Sequence, residues 1–254
     1  MLILQANRLK KVYGGDKNSR GTQALDGLDL KVNKGEFTAI MGPSGSGKTT
    51  LLNILSGVNK PTSGTVEFLG TNLDALNDKK LARFRRKNMG YVFQDFNLMD
   101  SLTLKENILL PMILEKRPLE EMENICKELT EAIGIEEVIN KYPYNVSGGQ
   151  QQKAAIARAL ANKPDMVFAD EPTGNLDSKS SKAIMTCFQE INGRRGSTIL
   201  MVTHDVFAAS FCKRVIFIKD GKTHSEIFRK STNNDFFNEI LDCLTVVGGG
   251  SNEV

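Results

Sequence analysis

Residues 42–49, Gly-Pro-Ser-Gly-Ser-Gly-Lys-Thr, fit G-x-x-x-x-G-K-[ST] at every fixed position. Glycines at these points let backbone N–H groups turn inward around an anion with no Cβ in the way. The pattern constrains the fold because it has to join a strand to a helix, and both are legible. Residues 36–41 form a short strand-like run. Leu51, Leu52, Ile54 and Leu55 follow at helical spacing, and Gly57 ends the helix. The helix N-terminus then faces the bound phosphates. In that context Lys48 is expected to reach the β- and γ-phosphates of ATP, and Thr49 to place its hydroxyl on Mg²⁺.

The rest of the chain reads as an α/β protein. Leu28, Leu30 and Val32 alternate with polar residues as in a half-buried strand, and Asn33-Lys34-Gly35 reads as the turn after it. Residues 64–68 and 89–93 are strand-like, and 78–87 is a charged helical segment. Residues 102–161 are helical in composition, broken at Pro143 and at Ser147-Gly148-Gly149. Ser147 is the expected N-cap of a helix over 150–161, closed by Pro164. Strands return at 166–169, 198–202 and 215–219 as continuous apolar runs, the pattern of a parallel sheet covered on both faces. Lys219-Asp220-Gly221-Lys222 reads as a hairpin turn and 248–251 as a flexible tail.

Composition excludes several classes. With 33 basic and 30 acidic residues, the charge is too even for nucleic acid to be the main partner. No apolar run approaches the roughly 20 residues of a spanning helix, so a membrane role requires a partner. The first residues lack the basic and apolar regions of a signal peptide. Cys126, Cys187, Cys212 and Cys243 lie far apart with no clustered His, which points to reduced thiols in the cytosol.

Three further elements carry chemistry. Residues 166–169 lead into Asp170-Glu171. Asp170 at the strand end can hold Mg²⁺, directly or through water, and Glu171 is placed to accept a proton from the attacking water. Ser147-Gly148-Gly149-Gln150 makes a second anion-binding helix start. On its own it is a plain N-cap with a flexible turn. One nucleotide needs one phosphate loop, so a second anion site suggests service to a nucleotide held by another subunit. His204 follows the strand at 198–202, on the ligand side of an open α/β sheet, where it could donate to the γ-phosphate. His224 has no assigned role.

Taken together, these residues resemble the ATP-binding-cassette (ABC) transporter ATPases over nearly the whole chain. The phosphate loop, a strand ending at Gln94, the Ser-Gly-Gly-Gln signature, Asp170-Glu171, Asn175-Leu176-Asp177 and His204 occur in that family's order. The resemblance implies a RecA-like P-loop core, about 1–94 and 166–230, with a small antiparallel β portion. It implies a helical subdomain, about 95–165, and a C-terminal extension, about 231–254. Two copies would sandwich two ATP molecules. Tyr13 looks like the residue that stacks on adenine. Gly42, Ser44, Gly45, Ser46, Gly47, Lys48, Thr49 and Thr50 look like the cis nucleotide contacts. Ser147, Gly148, Gly149 and Gln150 look like the trans contacts. Gln94 resembles the residue that senses Mg²⁺ or the attacking water, and Asp177 the residue that meets the opposite subunit. The implied machine is a homodimer on ATP binding, joined to an integral membrane permease at the inner face of the cell membrane. Val146 replaces the family's usual Leu, and Lys153 its usual Arg.

Residues 93–111 are similar to the branch containing macrolide-export, lipoprotein-release and cell-division cassettes. Residues 215–221 and the extension with Phe236-Phe237 resemble the bacitracin-resistance type that handles antimicrobial peptides. A cassette that signals through its membrane partner without moving cargo would carry the same motor. A soluble ABC ATPase of DNA repair or translation would need a second cassette or a long inserted arm, and this chain has neither.

Two surface features complete the reading. Lys79, Lys80, Arg83, Arg85, Arg86 and Lys87 are expected to form a solvated helix face, with acidic lipid headgroups as the alternative. Phe236, Phe237, Ile240, Leu241 and Leu244 recur at helical spacing and are expected to pack onto the domain.

Overall fold

A computed structural model describes residues 1–14, 21–230 and 232–248. In chain order its elements are β1 (Leu2–Tyr13), β2 (Thr22–Asn33), β3 (Phe37–Met41), α1 (Lys48–Leu55), β4 (Ser63–Phe68), β5 (Thr71–Asn72), α2 (Asp78–Asn88), β6 (Met89–Val92), α3 (Leu104–Leu114), α4 (Leu119–Ile133), α5 (Gly148–Leu160), β7 (Met166–Asp170), α6 (Ser178–Arg195), β8 (Thr198–Val202), α7 (Val206–Ser210), β9 (Arg214–Lys219), β10 (Lys222–Phe228) and α8 (Asn233–Gly248). They gather into two compact units. One holds Met1–Ala82 and the chain from Thr198 onward; the other is Arg83–Ser197.

In the first unit every residue of β3 is buried, which fits a strand covered on both faces. It pairs in parallel with β8 on one side and β9 on the other, and β10 returns antiparallel to β9 across the expected hairpin, with Lys219 opposite Lys222. A second sheet, in the order β2-β1-β4-β5, is antiparallel. Its β2 buries Leu28, Leu30 and Val32 and turns Asp29, Lys31 and Asn33 to solvent. Helix α1 buries Leu51, Leu52, Ile54 and Leu55. Helix α8 rests on α7 and β9, with Phe236, Ile240 and Val247 as its buried seam. Leu241, expected in that seam, is 40% exposed. The i, i+4 and i+7 positions that follow Phe236 and Ile240 fall at residues 243–247 instead. The expected tail beyond residue 248 lies outside the described residues.

In the second unit β6 and β7 pair in parallel, from Met89↔Met166 to Val92↔Ala169. Helix α5 packs against α3, α4, α6 and β6. Helix α4 turns Met122, Ile125, Cys126, Leu129 and Ile133 inward at i, i+3, i+4 spacing. Phe168 in β7 is fully buried, a contribution of about 1.5–3 kcal/mol. Along α2, which begins in the first unit, Leu81 is buried and Lys79, Lys80, Arg83 and Lys87 are exposed, whereas Arg85 and Arg86, expected on the same solvated face, are half-buried, Arg86 because it pairs with Glu115.

Candidate nucleotide site

The first unit builds the phosphate loop by register. Ile40 of β3 lies opposite Val202 of β8, and the Thr203 N–H donates to the Ile40 carbonyl at 3.1 Å. The loop after β3 and His204 after β8 therefore leave the same carboxyl end of adjacent parallel strands, where open α/β sheets bind ligands. The turn at His204 is pinned on its far side. Thr203 Oγ1 accepts the Asp205 N–H at 3.0 Å, and Asp205 Oδ1 accepts the Phe207 N–H at 2.8 Å, capping α7.

Inside the loop, Lys48 is only 8% exposed. Its Nζ donates to the carbonyls of Gly42 at 3.0 Å and Pro43 at 2.9 Å. The ammonium is thus curled into the turn that Gly42, Pro43, Ser44 and Gly45 make. Ser46 Oγ is buried with no hydrogen-bond partner. Such an atom costs about 1–3 kcal/mol unless something satisfies it, and a ligand oxygen in the loop would. Gly47 has φ 97°, and a Cβ there would sit 2.3 Å from the Ala24 carbonyl oxygen, so only glycine fits. Thr49 on α1 is exposed and Thr50 half-buried. Tyr13 is 41% exposed. Its hydroxyl lies 3.5 Å from Thr50 Oγ1, and Lys11 Nζ sits 5.0 Å from its ring centre.

The second unit carries the other expected residues. Asp170 is the last residue of β7. Glu171 follows with φ 44°, a left-handed conformation that costs a residue with a Cβ about 1–2 kcal/mol and is characteristic of functional turns. The register Val92↔Ala169 sends Gln94 and Glu171 off the same end of the strand pair. The expected strand through Gln94 ends two residues earlier, at Val92. From Phe93 onward, side chains take over the backbone partners that a neighbouring strand would have supplied. Gln152 of α5 donates Nε2 to the carbonyls of Phe93 at 3.3 Å and Pro172 at 2.7 Å. Asn175 Nδ2 donates to Gln94 O at 3.3 Å and Asp95 Oδ1 at 2.8 Å, and Gln94 Nε2 donates to Asn175 Oδ1 at 3.5 Å. Arg158 holds the carbonyls of Phe96 and Asn97, both at positive φ.

Sequence alone does not single out Gln152 and Arg158. Gln152 has a visible signal nonetheless: a polar residue in helical line with the apolar Ala155 and Ile156. It is fully buried.

Ser147 is the N-cap of α5, which begins two residues earlier than expected, at Gly148, and ends one earlier, at Leu160. Ser147 Oγ accepts the Gln150 N–H at 3.3 Å, and Gln150 Oε1 accepts the Ser147 N–H at 3.0 Å, a capping box. The box uses a lone pair of the hydroxyl and leaves its proton to donate. A Cβ on Gly149 would lie 3.0 Å from Ser180 Oγ, so the starts of α5 and α6 adjoin. Asp177 caps α6, accepting the Ser180 N–H at 2.9 Å and its hydroxyl at 2.7 Å. Those bonds, the backbone one first, hold its carboxyl below the usual carboxylate range. Lys153 donates to Gly134 O at 3.4 Å. His224 lies apart in β10, exposed and beside Ser225 Oγ.

The side-chain oxygens of Thr49 in the first unit, and those of Gln94 and Asp170 in the second, are of the hard type that Mg²⁺ prefers beside phosphate and water. Among the described residues no group of three or more His, Cys, Asp or Glu forms a self-sufficient metal cage.

A family profile described as ABC transporter matches residues 25–174. The chain belongs to the ABC transporter family. An uncharacterised ABC transporter ATP-binding protein of Bacillus subtilis, YvcR, is 52% identical over 253 residues, spanning 100% of this chain and 98% of that protein. The bacitracin export ATP-binding protein BceA of Halalkalibacterium halodurans is 45% identical over 254 residues, covering 100% of both. Among solved structures, the Methanocaldococcus jannaschii cassette MJ0796, a dimer in a post-hydrolysis state with ADP and Pi, superposes with a TM-score of 0.82 at 39% identity. That match covers 90% of this chain and 100% of MJ0796. This ABC chain is accordingly an ATP-binding, ATP-hydrolysing subunit with the cassette fold. Among the described residues no helix is long and apolar enough to cross a membrane.

Proposed function

We propose that two copies of this ABC subunit close on MgATP and drive a separate integral membrane permease that exports peptide antibiotics. The carrying observation is the capped start of α5, where Ser147 keeps a free hydroxyl proton beside Gly149. It duplicates an anion-binding function that the loop at 42–49 already supplies, and a second copy gives it a substrate.

In this reading Gly42, Ser44, Gly45, Ser46, Gly47, Lys48, Thr49 and Thr50 grip the triphosphate, and Tyr13 stacks on adenine. Ser147, Gly148, Gly149 and Gln150 of the other copy complete the γ-phosphate, with Asp177 beside them. Water attacks the γ-phosphorus in line, the bond to the β-phosphate oxygen breaks, and Glu171 takes the water's proton. Gln94 orients the water. His204 donates to the γ-phosphate, and Lys48 offsets charge on the leaving oxygens. Thr49, Asp170 and Gln94 would hold Mg²⁺, which supplies further charge neutralisation when bound.

The helical lobe, about residues 95–165, and the Gln94 segment would meet the permease, holding the subunit at the inner face of the cell membrane. A cavity of about 270 Å³ supports this surface; Tyr91, Phe93, Asn97, Pro111, Arg158 and Asn162 line it.

Full-length similarity to BceA, C-terminal extension included, supports that cargo. The lipoprotein-releasing relative LolD of Aquifex aeolicus aligns over only 227 residues, at 44% identity. Deleting the gene is expected to lower several-fold the bacitracin concentration that stops growth of its host. Unchanged tolerance would remove the peptide cargo and leave a cassette with another cargo or a signalling task.

A further inference from the structure

Tyr142 and Tyr144 stand just ahead of the signature, 38% and 68% exposed. Their rings are parallel, with an interplanar angle of 3° and centres 5.5 Å apart. Between them Pro143 is buried at the start of a single 3₁₀ turn, Pro143–Asn145. The buried proline fixes its own φ in the turn that carries the two tyrosines. Exposed aromatic faces contribute little to this fold, whereas a stacking partner would use them fully.

That partner is defined by position, granting the two-copy reading above on which this inference rests. From Tyr144 to Ser147 the chain reaches at most about 10 Å. A triphosphate with its ribose has a similar length. A nucleotide whose γ-phosphate meets Ser147 of one copy, and which runs toward the 142–144 turn, brings its base within reach of that copy's tyrosines. Tyr13 of the copy that binds the nucleotide in cis covers one face of the base, and Lys11 already lies against the Tyr13 ring. The second face of the base has no cover from the residues assigned so far.

We infer that the Tyr142–Tyr144 pair of one copy stacks on the base of the nucleotide bound by the other, so that dimer closure reads the purine as well as the phosphates. Stacking of a base on an aromatic side chain is worth about tenfold or more in affinity.

The test uses the full chain carrying Glu171→Gln, with dimerisation followed by sedimentation against ATP and, separately, CTP, whose smaller base stacks less. Adding Tyr142→Ala and Tyr144→Ala is expected to raise the ATP concentration for half-dimerisation about tenfold. It should also shrink the preference for ATP over CTP, while Tyr142→Phe with Tyr144→Phe keeps both. Monomer affinity for ATP should not move in either variant. Unchanged ATP dependence, or equal losses for ATP and CTP, would overturn the inference while leaving the two-copy reading intact. A defect seen only with the membrane partner present would assign the pair to docking and overturn it as well. If the Glu171→Gln chain forms no ATP-dependent dimer, both readings fall together.

Discussion

Glu171→Gln is expected to lower ATP turnover by about 10²- to 10⁴-fold, the usual contribution of a positioned general base, with ATP binding retained. The substitution keeps the shape of the side chain and so the packing at the end of β7. On the proposed mechanism it removes the one property needed there, a carboxylate able to take a proton from water. The backbone at Glu171 is held at φ 44°, and a residue in that conformation is over-determined by its surroundings. The amide should therefore occupy the same position without the chemistry. Phosphate release measured beside equilibrium ATP binding separates the two effects. Full turnover in the variant would take Glu171 out of the reaction.

Lys48→Ala should fail differently. A loss of at least about 10²-fold in turnover is expected, the scale seen when one preorganised electrostatic contact to a developing charge is removed. ATP affinity should fall as well. The ammonium braces the carbonyls of Gly42 and Pro43 at 3.0 and 2.9 Å, so alanine also loosens the loop that grips the phosphates. A nucleotide titration that shows unchanged affinity would contradict that double duty.

The contrast between these residues shows what a linear chain discloses. The loop was legible because its chemistry is local: consecutive residues form both strand end and helix start, and glycine is required at Gly47 for reasons of φ and of the Ala24 carbonyl. Buried strands such as β3, β7 and β8 were legible as unbroken apolar runs. The supports of the site were harder to see. Gln152 joins the segments after β6 and β7, and Asn175 ties down Gln94 and Asp95. Each acts through long-range hydrogen bonds from one amide; Gln152 shows in the sequence only as a polar residue in helical line with Ala155 and Ile156, which names no partner, and Asn175 has no periodicity to announce it. The end of β6 was misplaced for the same reason, since side chains rather than a neighbouring strand hold Phe93 and the residues after it. Asp177 shows the opposite case. A residue singled out for contact between copies also caps its own helix, and both duties fit the same carboxylate.

The central claim is that each ATP is finished by a second copy. It is tested most directly by mixing two inactive chains, Lys48→Ala and Gly149→Asp. The first lacks a working phosphate loop but keeps Ser147 and Gly149. The second keeps its loop but places a carboxylate where the γ-phosphate should dock, against Ser180. Neither alone should hydrolyse ATP appreciably. Mixed, they can form a pair in which the loop of the second chain faces the intact signature of the first. Phosphate release that reappears on mixing, and saturates with the ratio of the two chains, is the predicted result. A mixture as inactive as its components would contradict the account and return the signature to its own chain.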